Sequence, residues 1–322
     1  MITPADSILG FFLLIGSNVS PHSAPQRGLL ATHCLPLRRS MGARARPAMK
    51  NTECVAFLQW ALPQLGMRWP GFRKVRRQVC GRIGRRLGEL GLPDVAAYRA
   101  CLEENPAEWQ VLDSACRVTI SRFYRDRNVF ESLQNTVLPV LARAAIERGT
   151  SALCCLSVGC ASGEEAYSLK LLWELQLARE HSALGLHVTG IDSHPKMLER
   201  ALRGCYQAGS LKDLPEAWRR SAFAPSDSVY CLRQQFREGV CFTHGDARRA
   251  LPAGPFDLVL CRNLVFTYFV ASLQREILGH LHARMHEAGA LVVGIHESLP
   301  EHCVGFRPWD GARCTYRRIQ DR

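Results

Sequence analysis

The amino-acid sequence predicts an α/β protein, in which an all-helical segment precedes a Rossmann-like, doubly wound parallel sheet. Two observations predict this architecture. Before residue 150, apolar residues recur at helical spacing and no alternating strand pattern appears. After residue 150, short apolar runs followed by turn residues alternate with helical stretches, which is typical of a parallel sheet covered by helices. The chain has 322 residues, of which 47% are hydrophobic, so it is long enough for two domains and can form a packed core.

Four helices are predicted in the first part of the structured chain. The first is indicated by apolar residues at helical spacing, namely Phe57, Trp60, Ala61 and Leu65. The second carries a longer apolar stripe, formed by Phe72, Val75, Val79, Ile83, Leu87 and Leu90. Gly91 and Pro93 are expected to end this second helix. Residues 95–102 and 109–118 are predicted to form two more amphipathic helices.

The later part of the chain is predicted to supply the sheet. Buried strands are expected at residues 152–158, 186–191, 256–261 and 290–295. Helices are expected at residues 164–180, 195–204 and 271–288. Between residues 213 and 246 the alternation breaks, and residues 229–232 and 240–243 are predicted to form a small antiparallel hairpin around Gly239. Residues 314–319 are predicted to form a final edge strand.

The first 48 residues are predicted to be a disordered, basic extension, because they are rich in Pro, Ser, Arg and Gly. The apolar run at residues 8–16 is too short to span a bilayer, which takes about 20 residues. Asp6 is the charged side chain ahead of it, whereas a signal peptide carries positive charge there. A secretory signal and translation from Met41 or Met49 remain alternatives. The expected localisation is cytoplasmic, without a membrane span.

The net charge and the cysteine spacing indicate which partners and which kinds of site to expect. A formal net charge of +12 predicts attraction to an acidic partner, which could be nucleic acid, an anionic membrane or an acidic protein. The 14 cysteines include no C-x-x-C pair, and Cys231, Cys241 and Cys261 lie within apolar runs. We therefore expect reduced, buried thiols and no metal site.

A glycine-rich turn between the first predicted strand and the next helix is the strongest local signal. Its spacing, Gly159-x-Ala-x-Gly163, differs from the G-x-G-x-x-G of pyrophosphate-binding turns. Glu164 and Glu165 follow at once, and they would repel a phosphate but suit a cofactor that carries a sulfonium and an amino group. The helix dipole also favours acidic residues in a first turn, which is the alternative explanation.

Two aspartates at the ends of later strands indicate a nucleoside-type cofactor. Asp192 can accept hydrogen bonds from both ribose hydroxyls, and Asp246 is placed to contact an adenine edge. Each alone is explained equally well as a helix N-cap. Because the carboxyl ends of parallel strands meet at one edge of a sheet, we expect both to lie beside the glycine-rich turn.

Three segments resemble the CheR-type methyltransferases. That family carries the signature S-A-G-C-S-T-G-E-E-P-Y-S, which residues 157–169 resemble (SVGCASGEEAYSL). It also carries T-x-F-F-R-[DE] and P-F-D-x-I-x-C-R-N-V-x-I-Y-F-D, which residues 121–126 (SRFYRD) and 255–269 (PFDLVLCRNLVFTYF) resemble. The resemblance runs in order over residues 53–317. It implies a class I, S-adenosylmethionine-dependent methyltransferase that modifies glutamate side chains of chemotaxis receptors.

The resemblance also implies a domain plan: a basic, partner-docking helical domain at residues 49–120, and a methyltransferase domain at residues 121–322 with a small β-subdomain inserted at about 205–243. It implies roles for individual residues. Ser121 and Arg125 would face the methionine end of the cofactor, Gly159 would form the turn, and Glu165 would hold part of the cofactor. Thr119, where an asparagine is common in the family, is also a predicted cofactor-binding residue. Asp192 would bind the ribose, Asp246 and Ala247 the adenine, and Asn263 and Leu264 would complete the site.

The predicted chemistry requires no general base. A glutamate carboxylate, with an ordinary pKa of about 4.3, is ionised at neutral pH and can attack a sulfonium methyl directly. Arg125 and Tyr268 are the predicted catalytic residues, Arg125 by orienting the acceptor or the cofactor and Tyr268 by a hydrogen bond to the acceptor. A salt bridge from Arg125 to Asp126 or Glu131, and a purely structural Tyr268, are the alternatives.

A cluster of cations indicates where an acidic protein docks. These residues are Arg68, Arg73, Lys74, Arg76, Arg77, Arg82, Arg85 and Arg86, and they lie off the apolar stripe. They are expected to form an exposed basic face, which in the family meets an acidic receptor helix, although a merely solvated face is the alternative. Nucleic acid is not the expected partner, because aromatic residues do not interleave with these charges. Rival functions are a methyltransferase of the same fold acting on a small molecule or RNA, and a non-catalytic cofactor-binding regulator.

Overall fold

A seven-stranded mixed sheet lies at the centre of the computed structural model, which describes residues 50–301 and 303–320. The strands of this part of the chain are β1 (Ala152–Val158), β2 (Gly185–Asp192), β3 (Cys205–Tyr206), β4 (Phe223–Ser226), β5 (Val229–Leu232), β6 (Val240–His244), β7 (Phe256–Leu260), β8 (Met285–Val292), β9 (Phe306–Trp309) and β10 (Ala312–Arg318). The order in the large sheet is β6-β2-β1-β7-β8-β10-β9. The first five of these run parallel, and β10 is antiparallel to both of its neighbours. This is the predicted Rossmann-like fold.

The described α-helices are α1 (Asn51–Gln64), α2 (Trp69–Phe72), α3 (Arg76–Leu90), α4 (Val95–Glu104), α5 (Glu108–Cys116), α6 (Arg127–Ser132), α7 (Leu138–Glu147), α8 (Glu164–Leu172), α9 (Pro195–Arg203), α10 (Glu216–Ala222), α11 (Val265–Tyr268) and α12 (Ala271–His282). Apolar side chains of α1 to α5, α11 and α12 form one core on one face of the sheet. Those of α6, α7, α8 and α10 form a second core on the opposite face. β1 supplies both cores, because alternate side chains of a strand point to opposite faces, as Leu153 and Leu156 do.

The predicted helical start of the chain is confirmed, with two changes. The second predicted helix is divided into α2 and α3, because α2 turns to pack against α11, where a Cβ on Gly71 would collide with the carbonyl oxygen of Thr267. The expected stop is confirmed at Gly91, whose φ of +73° favours glycine. α6 and α7 were not predicted.

Two predicted helices are too long. The helix predicted at residues 164–180 leaves α-helical geometry after Leu172 and continues as a π-helical turn, Trp173–Leu177. The helix predicted at residues 271–288 ends at His282, because β8 begins at Met285 and pairs with β7.

The predicted hairpin of residues 229–232 with 240–243 is wrong. β6 instead pairs in parallel with β2 at the edge of the large sheet, so that Asp192 lies opposite His244. Gly239 permits this close approach, since its φ is +75° and a Cβ there would lie 2.8 Å from the carbonyl oxygen of Leu186. β5 pairs with β3 and β4 in a separate three-stranded antiparallel sheet, which is the predicted small β-subdomain. The strand predicted at 314–319 is confirmed as β10, but its predicted edge position is wrong, because β10 is internal and β9 forms the edge.

The cysteine prediction is wrong at five positions. Disulfides join Cys54 to Cys80, between α1 and α3, and Cys205 to Cys231, which lie opposite each other on β3 and β5. Cys241 is exposed, while Cys261 is buried as expected. Each bonded pair is 26 residues apart in the chain, a separation that carries no motif.

Three other predictions concern the start of the chain, membrane spans and the division into domains. The extension at residues 1–48, the apolar run within it and the alternative starts lie outside the described residues. Within residues 50–301 and 303–320, no helix combines the length and the apolarity that crossing a membrane requires. All the described residues belong to one compact unit, and a division at residue 120 stays a prediction.

Candidate active site

The candidate site lies at the carboxyl ends of four neighbouring parallel strands. Gly159 follows β1, Asp192 ends β2, Asp246 follows β6, and Asn263 follows β7. Open α/β sheets bind ligands at this edge, beside the point where the strand order reverses. In this sheet that point is β1, because β2 and β7 lie on either side of it.

A cleft with two lobes opens at this edge. The apolar lobe is lined by Met67, Phe72, Thr119, Ile191, Asp246, Ala247, Tyr268 and Phe269, among others. The charged lobe is lined by Ser121, Arg125, Glu165, Arg262 and Asn263, among others. Val118, Gly159, Asp192 and Leu264 line both lobes. Every site residue predicted from the sequence therefore lies on this one cleft.

The turn from β1 into α8 approaches the cleft closely. Gly159 has a φ of +73°, which favours glycine, and a Cβ there would lie 2.5 Å from Leu264 Cδ2, so a larger residue would also displace Leu264. The backbone N–H groups of Gly159 and Cys160 donate to the carbonyl oxygen of Ile191 at 2.8 and 3.0 Å. These bonds fix the turn to the end of β2.

Glu165 is the acidic group of the charged lobe. Its carboxylate accepts hydrogen bonds from Ser157 Oγ at 2.7 Å and from Arg262 Nη1 at 3.2 Å. Burial raises the pKa of Glu165 above its ordinary value, although Arg262 and Ser157 oppose this effect. Glu164 instead turns inward to Ser162, at 2.9 Å.

Asp192 joins the two lobes. Its Oδ2 accepts from the backbone N–H of Ala161 and its Oδ1 from that of His194, both at 2.8 Å. Each oxygen keeps a further lone pair for a ligand. His194 lines the apolar lobe, and its Nδ1 is buried without a hydrogen-bond partner in the described part of the chain.

Asp246 is held by an arginine that sequence reasoning missed. Arg248 Nε donates to both of its oxygens at 3.0 and 3.1 Å, and Arg248 Nη2 donates to Oδ2 at 2.6 Å. Burial alone would raise the pKa of Asp246, but the hydrogen bonds from Arg248 outweigh it and hold that pKa below its ordinary value. No pattern in the sequence pointed to Arg248.

Arg125 is a hydrogen-bond donor on the charged lobe. Arg125 Nη1 donates to the carbonyl oxygen of Ile120 at 3.1 Å, and its Nη2 donates to Asn263 Oδ1 at 3.3 Å. The carboxylates proposed as alternative partners for Arg125 are paired elsewhere, Asp126 with Arg262 at 2.7 Å and Glu131 with Arg127 at 2.9 Å.

Tyr268 is half-buried on the apolar lobe. Its ring meets Phe72 edge-on, with the ring centroids 5.0 Å apart. Burial raises the pKa of Tyr268, and nearby Arg125 opposes the rise. The hydroxyl is therefore protonated at neutral pH and can donate a hydrogen bond.

Two further missed residues shape the charged lobe. Glu297 accepts from the backbone N–H groups of Asn263 at 2.8 Å and Gly294 at 2.6 Å, and this contact holds Asn263 at a positive φ of 57°. Arg262 binds Glu165, Asp126 and the carbonyl oxygen of Arg125. Arg262 lies inside the C-R-N motif and could have been found there, whereas nothing in the sequence marks Glu297.

The predicted basic face is only partly present. Arg68 donates to the carbonyl oxygens of Phe266 and Thr267, Arg82 donates to those of Ala115 and Arg117, and Arg86 pairs with Glu89 and Glu108. For Arg76, Arg82 and Arg86 the prediction of an exposed position is wrong, since hydrogen bonds to carbonyl oxygens and carboxylates draw these side chains inward. The residues that remain exposed and without such an inward role are Arg73, Lys74, Arg77 and Arg85.

Comparison with known proteins identifies this arrangement. Residues 119–313 match the family model described as "CheR methyltransferase, SAM binding domain", which is more than half of the chain. The chain belongs to the CheR methyltransferase family. It is therefore an S-adenosylmethionine-dependent methyltransferase, and the cofactor expected from the strand-end residues is confirmed.

Three relatives illustrate the match. The chemotaxis protein methyltransferase of Klebsiella aerogenes is 30% identical over 70% of this chain and 77% of its own. The probable biofilm formation methyltransferase WspC of Pseudomonas aeruginosa is 31% identical over 70% of this chain and 53% of its own. An uncharacterized 104.1 kDa protein of Rhodobacter capsulatus is 30% identical over 68% of this chain, but the match spans only 23% of that protein.

The residues present fit S-adenosylmethionine. One lobe is lined mainly by apolar side chains and the other by charged and polar ones, which matches the adenosine and amino-acid ends of this cofactor. Glu165 suits a cationic amino group or sulfonium, Asp192 has lone pairs for two hydroxyls, and the buried Nδ1 of His194 lacks the partner that a nucleoside could supply. Within the described residues, no cluster of His, Cys, Asp and Glu could hold a metal ion.

Proposed function

We propose that this protein transfers the methyl group of S-adenosylmethionine to ionised carboxylates of an acidic protein, with glutamate side chains as the acceptors. The observation that carries the proposal is a hydrogen-bond donor on each lobe of the cleft, namely Arg125 on the charged lobe and the protonated Tyr268 on the apolar lobe, close enough for Arg125 to affect the pKa of Tyr268. Hydrogen-bond donors can bind a methyl acceptor that is already negatively charged, whereas a neutral methyl acceptor would need a base to remove its proton.

The bound cofactor supplies an electrophilic methyl group on a positively charged sulfur. The apolar lobe takes the adenosine, with Asp192 on the ribose and Asp246 and Ala247 on the adenine edge. The charged lobe takes the amino-acid end, where Glu165 holds the amino group and Ser121 and Arg125 border it, while Thr119 borders the cofactor from the apolar lobe. Gly159, Asn263 and Leu264 close the cleft where the two lobes meet.

The protein's contribution to the reaction is positioning and exclusion of water. Arg125 orients the incoming carboxylate and Tyr268 donates to one of its oxygens. The interaction of Arg125 with the acceptor carboxylate is weakened, because both Nη atoms of Arg125 already donate hydrogen bonds, to Ile120 O and Asn263 Oδ1. This sharing favours transfer, since a tight ion pair would stabilise the carboxylate before it reacts.

The exposed basic residues of α3 and the segment before it are the proposed docking surface for the acidic protein. This segment is physically joined to the site: Arg68 N donates to the carbonyl oxygen of Tyr268 at 2.8 Å, and α2 packs on α11. A partner bound along Arg73, Lys74 and Arg77 would thus lie against the element that carries Tyr268. A chemoreceptor-like protein reached from the cytoplasm is the proposed partner, in keeping with the name of the Klebsiella relative.

Methyl-labelled S-adenosylmethionine tests this proposal. Purified protein is incubated with a cell lysate, and the labelled proteins are treated with mild alkali. Glutamyl methyl esters release the label as methanol, so base-labile label that is absent with Asp192→Ala supports the proposal. Base-stable label points to another acceptor, such as RNA or an amine. Tight cofactor binding without transfer to any lysate component would indicate a non-catalytic regulator.

A further inference from the structure

A buried carboxylate on α5 contacts two arginines that line the apolar lobe. Asp113, on α5, is 8% exposed. Its oxygens accept from Arg248 Nη1 at 2.7 Å and Arg248 Nη2 at 2.9 Å, which is a two-pronged contact, and also from Arg117 Nη2 at 3.2 Å.

Both arginines continue from Asp113 to the loops that form the cleft. Arg248 binds Asp246, which follows β6, through the bonds described above. Arg117 Nη1 donates to the carbonyl oxygen of Ser193 at 2.6 Å, one residue beyond Asp192 at the end of β2. Arg117 and Arg248 themselves line the apolar lobe. One carboxylate therefore holds the two loops that follow the neighbouring strands β2 and β6.

We propose that Asp113 is a positioning residue for S-adenosylmethionine, which fixes the ribose-side and adenine-side loops through Arg117 and Arg248. The cluster is balanced, with two aspartates and two arginines. Without the charge of Asp113, Arg248 keeps Asp246 as its one carboxylate partner among the described residues and Arg117 loses its own, so both loops lose the geometry set from α5. The inference rests on the cofactor site proposed above.

The chain offers a matched control for an effect on stability alone. Glu108 lies on the same helix, is 3% exposed, and accepts from Arg86 at 2.9 and 2.8 Å and from Tyr98 at 2.8 Å. Its partners do not line the cleft. Replacing either carboxylate by its amide should lower thermal stability, but only the change at Asp113 should alter cofactor binding.

The test compares Asp113→Asn with Glu108→Gln by calorimetric titration with S-adenosylhomocysteine, alongside thermal unfolding. We expect Asp113→Asn to raise Kd by about 10-fold or more, because part of the large cost of breaking a buried ion pair falls on the two loops that bind the cofactor. Glu108→Gln should leave Kd within about twofold, which is ordinary for a change remote from a ligand. In the methylation assay, Asp113→Asn should raise KM for the cofactor and leave kcat at saturation nearly unchanged.

Two further variants keep the inference testable. If Asp113→Asn does not fold, Arg248→Lys takes its place, because lysine keeps the charge but cannot bridge two carboxylates with a planar fork. An unchanged Kd in the variant that folds, or an equal rise in Glu108→Gln, overturns the inference. Asp192→Ala separates the two proposals. If Asp192→Ala abolishes cofactor binding while Asp113→Asn leaves Kd unchanged, only the role of Asp113 is refuted. If Asp192→Ala binds the cofactor normally, the proposed cofactor site itself is wrong.

Discussion

Glu165→Gln is the most informative single change in the charged lobe, because glutamine keeps the shape of the side chain and removes its charge. The carboxylate accepts from Ser157 and Arg262, and is proposed to receive the amino group of the cofactor as well. A hydrogen bond to a charged group contributes about 1.5–3 kcal/mol. At about 1.4 kcal/mol per tenfold change, Kd for S-adenosylmethionine should rise about 10- to 150-fold.

The pH dependence gives a second, independent readout. Because burial raises the pKa of Glu165, acidification protonates this side chain at a higher pH than an ordinary carboxyl group. Protonated Glu165 attracts a cation less strongly, so wild-type affinity should fall as the pH is lowered through that raised value. The glutamine variant lacks this titrating group, so the difference between the two curves of affinity against pH gives the contribution of Glu165 alone.

The raised pKa has the opposite consequence for folding. Protonation of Glu165 favours the folded protein, so this contribution to stability is complete below the ordinary carboxyl pKa and is lost as the pH rises through the raised value. Calorimetry from about pH 5 to pH 8, paired with thermal unfolding of both proteins, measures both effects. A Kd within twofold of wild type for the variant, or parallel pH curves, would refute the reasoning.

Three further predictions concern the acceptor side. Tyr268→Phe should lower kcat about tenfold, the scale of one lost hydrogen bond, with cofactor Kd unchanged, and an unaltered kcat would make Tyr268 a structural residue. Gly71→Ala should lower thermal stability, because the added Cβ collides with the backbone of α11, and should lower kcat, because α11 carries Tyr268. The control is Gly81→Ala, whose added Cβ faces open space and which should raise stability by up to about 1 kcal/mol. The double variant Arg73→Glu, Arg77→Glu should raise KM for the acidic acceptor in a salt-dependent manner and spare cofactor Kd, and an unchanged KM would show that docking occurs elsewhere.

Much of the site could be predicted because it depends on local signals and one topological rule. A strand followed by small residues places Gly159 at a turn, and strand-end acids place Asp192 and Asp246 nearby, since parallel strands bring their carboxyl ends to one edge. The family motifs then supplied Arg125 and Asn263, whose side chains meet in the structure. Each of these inferences needs only the strand order to be right.

The failures share a different cause, which is pairing between distant segments. Residues 240–243 have a strand pattern, but periodicity cannot say whether the partner is β5 or β2. Asp113 and Arg248 are 135 residues apart, and neither belongs to a motif. Arg82 and Arg86 were predicted to be exposed because they lie off the apolar stripe of their helix, and the pattern cannot show carbonyl and carboxylate partners that lie on other elements.

The central claim is that one cleft at the carboxyl edge of the sheet binds S-adenosylmethionine through Asp192. Calorimetric titration of the wild type and of Asp192→Ala with S-adenosylhomocysteine tests it most directly. With two charge-assisted hydrogen bonds removed, the variant should bind at least about 100-fold more weakly while remaining folded. Equal affinities of the two proteins would contradict the claim.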